Sequence, residues 1–299
     1  LNEVVVYLNP EPNQNFIDCT FGGGGHSEAI LEKTAPDGKV LAIDLDEETQ
    51  KSTLKKLSKY GARIIPVIGN FRDIGSLAEN FSDVSGIVYD LGLSSIQLSG
   101  NRAFSFTSDE KLDMRFSQAS KISAYQIVNR WPERDLARII REYGEEKFAN
   151  KIAWKIASQR TVAPVETGRQ LGELVAGAIP KRFHPARIHP ATKTFQALRI
   201  AVNDELNSLN ESLPKALGIL QTNGRIAIIT FHSLEERIVK EFIKSQLKGC
   251  ICPPEFPKCA CGKTATIKLI TKKAILPGEL EIRINPRARS AKLRVIEKI

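Results

Sequence analysis

Four consecutive glycines, Gly22 to Gly25, separate the apolar run Phe16-Ile17-Asp18-Cys19-Thr20 from a helical segment through Glu28-Ala29-Ile30-Leu31. Glycine loses more backbone freedom on folding than any other residue, so such a run is costly unless the chain needs it. Between a strand and a helix it lets the backbone take positive φ and lets a ligand approach the main chain closely. The apolar–helical alternation then recurs. Val40-Leu41-Ala42-Ile43-Asp44 predicts a second strand, followed by a helix over residues 47–59. Ile64-Ile65-Pro66-Val67-Ile68 predicts a third strand, whose proline suggests an edge position, and Gly86-Ile87-Val88-Tyr89-Asp90 a fourth. This alternation predicts an α/β fold with a parallel, doubly wound sheet.

Beyond Leu98 the pattern changes. Residues 107–191 contain no convincing strand, but helices are predicted from Pro132, over residues 145–159, and from near Thr167 to Ile179. We therefore expect an inserted helical subdomain at 107–191 within an α/β domain made of 1–106 and 192–299. The second part of that domain opens with a helix over residues 192–220, which Pro214 should kink or divide. The strand Arg225-Ile226-Ala227-Ile228-Ile229-Thr230-Phe231 follows, and β-like runs at 268–276 and 291–297 close the chain.

Lys and Arg number 43 against 34 acids, a formal charge of +9. A basic balance favours an anionic partner such as nucleic acid. Its distribution sharpens that expectation. No acid lies between Glu173 and Asp204, where Lys181, Arg182, Arg187, Lys193 and Arg199 are joined by His184 and His189. From Ile282 onward six basic residues face only Glu297. Lys193 and Arg199 are expected to hold phosphates rather than do chemistry. No run approaches the length of a membrane span and no signal peptide opens the chain, so we expect a cytoplasmic protein without a membrane partner. The first residue is Leu1 rather than Met, which leads us to expect a few residues ahead of it.

The chemistry-bearing residues cluster at the ends of predicted strands. Asp44 closes the second strand about 20 residues beyond the glycines, where a carboxylate can accept hydrogen bonds from ribose hydroxyls. The dinucleotide fingerprint fails, because Ser27 stands at its third glycine position. An acid within the first strand followed by clustered glycines suits S-adenosylmethionine, which has no pyrophosphate and does carry an ammonium group; Asp18 could help bind it. Asp90 closes the fourth strand and, with Gln97, should reach the crevice beyond the carboxyl ends of the strands. Methylating an exocyclic amine requires acceptors for its N–H hydrogens, and the Asp90 carboxylate and Leu91 carbonyl could supply them. A turn or helix cap is the plainer role for Asp90.

These residues, with others downstream, resemble the family of S-adenosylmethionine-dependent methyltransferases that modify the N4 amine of a cytosine in small-subunit (16S) ribosomal RNA. The matching runs are residues 18–27, 89–98, Phe104-Ser105-Phe106, Leu112-Asp113-Met114-Arg115, 143–148, 189–200, 231–240 and 285–290. They cover nearly the whole chain in order. The resemblance implies a Rossmann-like methyltransferase sheet with an inserted helical domain, so residues 1–106 and 192–299 are expected to bind S-adenosylmethionine and the insert at 107–191 to recognise RNA. It also implies cofactor contacts at Gly24, Gly25, His26, Asp44, Phe71, Asp90 and Gln97, with Asp90 the catalytic residue. Phe71 would stack on or flank the adenine, although an ordinary core aromatic fits the sequence nearly as well. The partner implied is small-subunit ribosomal RNA within the ribosomal subunit; the oligomeric state stays open, a homodimer being one option. The family's usual glycine before Phe-Ser-Phe is Ala103 here, and its N-terminal lead-in is cut short at Leu1. A DNA amino-methyltransferase is an alternative, against which Asp90-Leu91-Gly92 departs from the usual Asp-Pro-Pro-aromatic pattern; a non-catalytic RNA-binding assembly factor is another.

Two features stay ambiguous. Ser233 reads as a helix cap, with Glu236 three residues on, while His232 could orient the target base or simply be structural. Cys250, Cys252, Cys259 and Cys261 could together bind zinc, but one residue between paired cysteines is poor spacing, and no metal is expected. Cys19 reads as a small buried residue.

Overall fold

The structure is a computed structural model that describes every residue except Leu1, Ser95, Ile96, residues 98–101, Arg187 and residues 250–260. The chain divides into two compact units, Leu1–Gly92 with Leu206–Ile299, and Leu93–Glu205. The second is wider at both ends than the insertion at 107–191 suggested by the strand pattern.

The first unit is a seven-stranded sheet. Its strands are β1 (Asn15–Asp18), β2 (Val40–Asp44), β3 (Ile64–Ile68), β4 (Val84–Asp90), β5 (Leu220–Thr230), β6 (Ile267–Leu269) and β7 (Lys292–Lys298), in the order β3-β2-β1-β4-β5-β7-β6. The first five are parallel, and β7 runs antiparallel to both β5 and β6. This is a Rossmann-like methyltransferase fold. Pro66 is accommodated because β3 pairs only with β2 and forms one edge.

The strands read as continuous apolar runs because both faces are covered. Alternate residues point to opposite sides. Ile17, Ile43, Ile87, Tyr89, Ile226 and Ile228 pack with Leu209, Leu213 and Val239. Phe16, Val40, Ala42, Val88, Ala227 and Ile229 pack with Val4, Leu8, Ile30 and Leu31. The helices named by those residues are α1 (Asn2–Leu8), α2 (Gly25–Lys33) and, later in the chain, those that begin at Glu205 and Ser233. A further helix, α3 (Glu47–Lys56), follows β2.

The second unit is helical. It contains α4 (Ala124–Arg130), α5 (Glu133–Glu142), α6 (Ala149–Val162), α7 (Gly168–Ala178) and α8 (Thr192–Asn203) around a core that includes Leu112, Ile127, Leu136, Ile140, Ile152, Leu171 and Leu198. Ser123 with Gln126 and Thr167 with Gln170 form capping boxes that fix two of the helix starts. No strand occurs in this unit among the described residues.

One expectation needs correction. The helix over 192–220 is divided at Asp204, not at Pro214: α8 ends at Asn203, Asp204 takes left-handed φ 51°, and α9 (Glu205–Ile219) continues through the proline. Pro214 is exposed, so the carbonyl its ring deprives of a partner belongs to the solvent side, while Leu213 and Leu217 stay buried. Ala103 takes left-handed φ 48° and is 1% exposed. Glycine adopts that conformation at less cost. Ala103→Gly is expected to stabilise the protein by about 0.5–1 kcal/mol, read as a higher urea midpoint with an unchanged slope.

Candidate active site

The loop after β1 is built around Asp18, which is 1% exposed. Its Oδ2 accepts from Ser27 Oγ at 2.7 Å and its Oδ1 from the Thr20 N–H at 3.1 Å. Burial lifts its pKa to about 6, partly opposed by the Ser27 hydroxyl. Buried, with each oxygen already accepting a bond inside the loop, Asp18 organises the turn rather than presenting an open carboxylate. Thr20 in turn accepts the Asp90 N–H on Oγ1 at 2.7 Å, which ties the loop to the end of β4.

Gly24 holds φ 75°, and a Cβ there would lie 2.7 Å from both Leu57 Cδ1 and Thr53 Cγ2, so only glycine fits. By contrast, a Cβ on Gly23 or Gly25 would meet nothing within 4 Å. The main chain is bare at those two positions. No side chain caps the first turn of α2, which starts at Gly25.

Asp44 is placed by β2. Its Oδ2 accepts from the Gly22 N–H at 2.6 Å and its Oδ1 from the Asp46 N–H at 2.8 Å. Burial raises its pKa, opposed by these two backbone donors. Each oxygen keeps a second lone pair for a ligand hydroxyl. Phe71, just beyond β3, is half-buried with its ring edge-on to Tyr89, at 5.6 Å between centroids and 85° between planes. Asn70 fixes that turn by accepting the Arg72 N–H and donating to Ser208 Oγ.

Asp90 and His26 form the centre. His26 Nδ1 lies 3.7 Å from Asp90 Oδ2. Burial lowers the imidazole pKa to about 4, so at neutral pH the contact is between a neutral ring and a carboxyl group rather than an ion pair. The Asp90 pKa is pushed up to about 7, first by burial and then by the nearby Asp18. Its side chain is nevertheless 36% exposed, and that access to water softens the push. Asp90 Oδ1 and His26 Nε2 are both buried without a hydrogen-bond partner among the described residues. Buried polar atoms are rarely left so, and two of them on neighbouring side chains, one at the end of β4 and one in the first turn of α2, mark a place for a polar ligand.

Together, the open backbone at Gly23 and Gly25, the hydroxyl acceptor Asp44 and the unpartnered pair fit a nucleoside-bearing cofactor. The structure brings Gly24, Gly25, His26, Asp44, Phe71 and Asp90 to the carboxyl ends of adjacent strands. Gln97 belongs to the other unit, where it is buried and exchanges hydrogen bonds with Ser94. Sequence reasoning missed Thr20 and Asp46. The first was legible as an Asp-x-Thr turn; the second caps α3 through the Thr49 N–H and looked like an ordinary turn acid.

Other expectations shift. The cap of α10 (Ser233–Leu247) is His232, not Ser233: its Nδ1 accepts the Glu235 N–H while Glu235 Oε2 accepts from the backbone of His232 and Phe231. The capping box slides one residue because Glu236 is taken by Arg294 at 2.7 Å. Within the second unit, Arg199 is engaged by Glu205 at 2.8 Å and Lys193 donates to the Glu145 carbonyl. Cys19 is buried, and burial pushes its thiol pKa up. Cys250, Cys252 and Cys259 lie outside the described residues, and Cys261 is exposed. Among the described residues no cluster could hold a metal ion, and no helix is long and apolar enough to cross a membrane.

Fold and site define a methyltransferase of the Rossmann-like class. The chain belongs to the MraW methylase family, whose sequence profile matches residues 1–299. It is 48% identical over 300 residues to the ribosomal RNA small subunit methyltransferase H of Syntrophotalea carbinolica, covering 99% of this chain and 96% of the relative. It is 46% identical over 302 residues to the protein of the same name from Brevibacillus brevis, covering 100% and 96%. Among solved structures, an rRNA methylase from Streptococcus thermophilus aligns over 100% of this chain and 95% of its own, with a TM-score of 0.46 and 10% identity.

Proposed function

We propose that this enzyme methylates the N4 amine of a cytosine in small-subunit ribosomal RNA, in the cytoplasm, with S-adenosylmethionine as donor. The observation that carries the reading is Asp90 Oδ1, a buried acceptor at the end of a central strand that has no partner among the described residues. When bound, S-adenosylmethionine supplies an electrophilic methyl group on a positively charged sulfur. Asp44 would hold the ribose hydroxyls, Gly24, Gly25 and His26 would line the bare loop, and Phe71 would flank the adenine. The assignment of Gln97 to the cofactor rests on resemblance alone.

An exocyclic amine is a poor nucleophile because its lone pair is delocalised into the ring. Asp90 accepts an N–H hydrogen, which localises that pair toward the electrophile, and then takes the proton the nitrogen sheds as the new C–N bond forms. His26, neutral beside it, does not compete for that proton at pH 7. Positioning supplies most of the remaining acceleration.

The test uses unmodified small ribosomal subunits, the protein and S-adenosylmethionine, followed by nucleoside mass spectrometry. New N4-methylcytidine with the wild-type protein, lost with Asp90→Ala, is the expected result. A folded, cofactor-binding protein that yields no methylated nucleoside would overturn the reading.

A further inference from the structure

One surface of the first unit is not used by the site described above. Along α10, Arg237, Lys240 and Lys244 fall at intervals of three and four residues, which places them on one face of the helix, and Lys248 continues the row at its C-cap. They span about 16 Å at the helical rise of 1.5 Å per residue. That face lines a groove of about 960 Å³, closed on its other side by Lys292 and Arg294 of β7. Ile243 and Leu247 supply apolar surface within it.

The charge balance of the groove is one-sided. Arg294 is already neutralised by Glu236 at 2.7 Å, leaving Glu241 among Lys240, Lys244, Lys248 and Lys292. Lys240, Lys244 and Lys248 are exposed and form no ion pair among the described residues. Uncompensated cations aligned in a concave track are the footprint of a polyanion.

The groove also has a direction. Ser233, at one end of its lining, follows β5 at the carboxyl edge of the sheet. β5 pairs with β4, where Ile229 stands opposite Asp90 and its carbonyl accepts the Leu91 N–H. The track therefore starts at the same carboxyl edge of the sheet as Asp90, on the strand next to its own, and runs along α10 from there.

We propose that this groove holds the ribose–phosphate backbone of the RNA strand adjoining the target base, a reading that rests on the proposed RNA substrate. A base that undergoes chemistry must leave its stack, so the strand on either side is locally single-stranded. A single strand needs successive cations at helical spacing, with apolar surface for its sugars, rather than the broader face that a duplex would cover. The lysines set affinity and register; the groove reads no sequence.

The test measures binding of the full chain to unmodified small-subunit ribosomal RNA across a salt series, together with methyl transfer to small ribosomal subunits. The Lys240→Ala/Lys244→Ala/Lys248→Ala variant removes three exposed charges, and a Lys33→Ala/Lys39→Ala variant changes exposed residues near the opposite edge of the sheet. Each lost phosphate contact should reduce the log–log salt slope by about 0.7, so the triple variant loses about 2 from its slope. Its affinity at low salt should fall about ten- to a hundredfold, with a matching rise in KM for subunits, while the Lys33/Lys39 variant keeps the wild-type slope. A triple variant that transfers methyl groups with unchanged slope and KM overturns the groove and leaves the substrate reading standing. RNA binding with the expected slope change but no methyl transfer by the wild-type protein overturns the substrate reading and supports the groove. Absence of RNA binding by the wild-type protein overturns both.

Discussion

Asp90→Asn is expected to lower kcat/KM for methyl transfer by about 10²–10⁴-fold, the range for loss of a positioned proton acceptor. The substitution keeps the shape of the side chain and one carbonyl acceptor, but it removes the basic oxygen. In the wild-type enzyme, burial and the neighbouring Asp18 push the Asp90 pKa up to about 7, and the side chain's partial exposure sets that as the upper end. The deprotonated form is the competent one, so kcat/KM should rise about tenfold per pH unit on the acid side and level off at or below pH 7. Asp90→Asn should flatten that limb. Stability moves the other way. A carboxyl group whose folded pKa lies above its unfolded value of 3.8 holds its proton more tightly when folded, so its contribution is fully present below pH 3.8 and is lost as pH rises toward about 7. The Asn variant should therefore be at least as stable as wild type at pH 7 in the absence of cofactor, checked by urea unfolding. A destabilised variant with a wild-type pH–rate profile would reduce Asp90 to a structural residue.

The sheet was legible because both of its faces are buried. Runs such as Val40-Leu41-Ala42-Ile43 have one interpretation once glycine loops and helical segments flank them, and Pro66 marked the edge. Helix boundaries were less legible, because they depend on which polar side chain wins a backbone donor. Pro214 looked like the natural break, yet the chain turns at Asp204, where a short polar residue tolerates left-handed φ and the proline faces solvent. Ser233 looked like the cap, yet Arg294, distant in sequence, claims Glu236 and passes the capping role to His232 and Glu235. In the site, the identity of the strand-end acids was readable, but their electrostatic state was not. That Asp18 is held by Thr20 and Ser27 is a local matter of one loop, but among the described residues Asp90 keeps an unpartnered oxygen only because β4 sets it beside that loop. No local pattern records the second fact.

Asp44→Ala is expected to weaken S-adenosylmethionine binding by about 10²-fold, measured by calorimetry. A carboxylate hydrogen bond to a ligand hydroxyl contributes about 1.5–3 kcal/mol, and water replaces part of what is lost. The carboxylate has a second task, since its two oxygens hold the Gly22 and Asp46 N–H groups and so couple the glycine loop to the start of α3. Those roles separate in Asp44→Asn. Asparagine offers one acceptor oxygen, so it can satisfy only one of the two backbone donors and must set its NH₂ against the other. The Asn variant should therefore bind the cofactor nearly as poorly as the Ala variant, although it can still accept one ribose hydroxyl. An S-adenosylhomocysteine analogue lacking a ribose hydroxyl divides the effect further. It should bind the wild-type protein about tenfold or more weakly than S-adenosylhomocysteine, and the Ala variant should not distinguish the two. If the Ala variant still discriminates against the analogue, Asp44 holds the loop alone and another group reads the ribose.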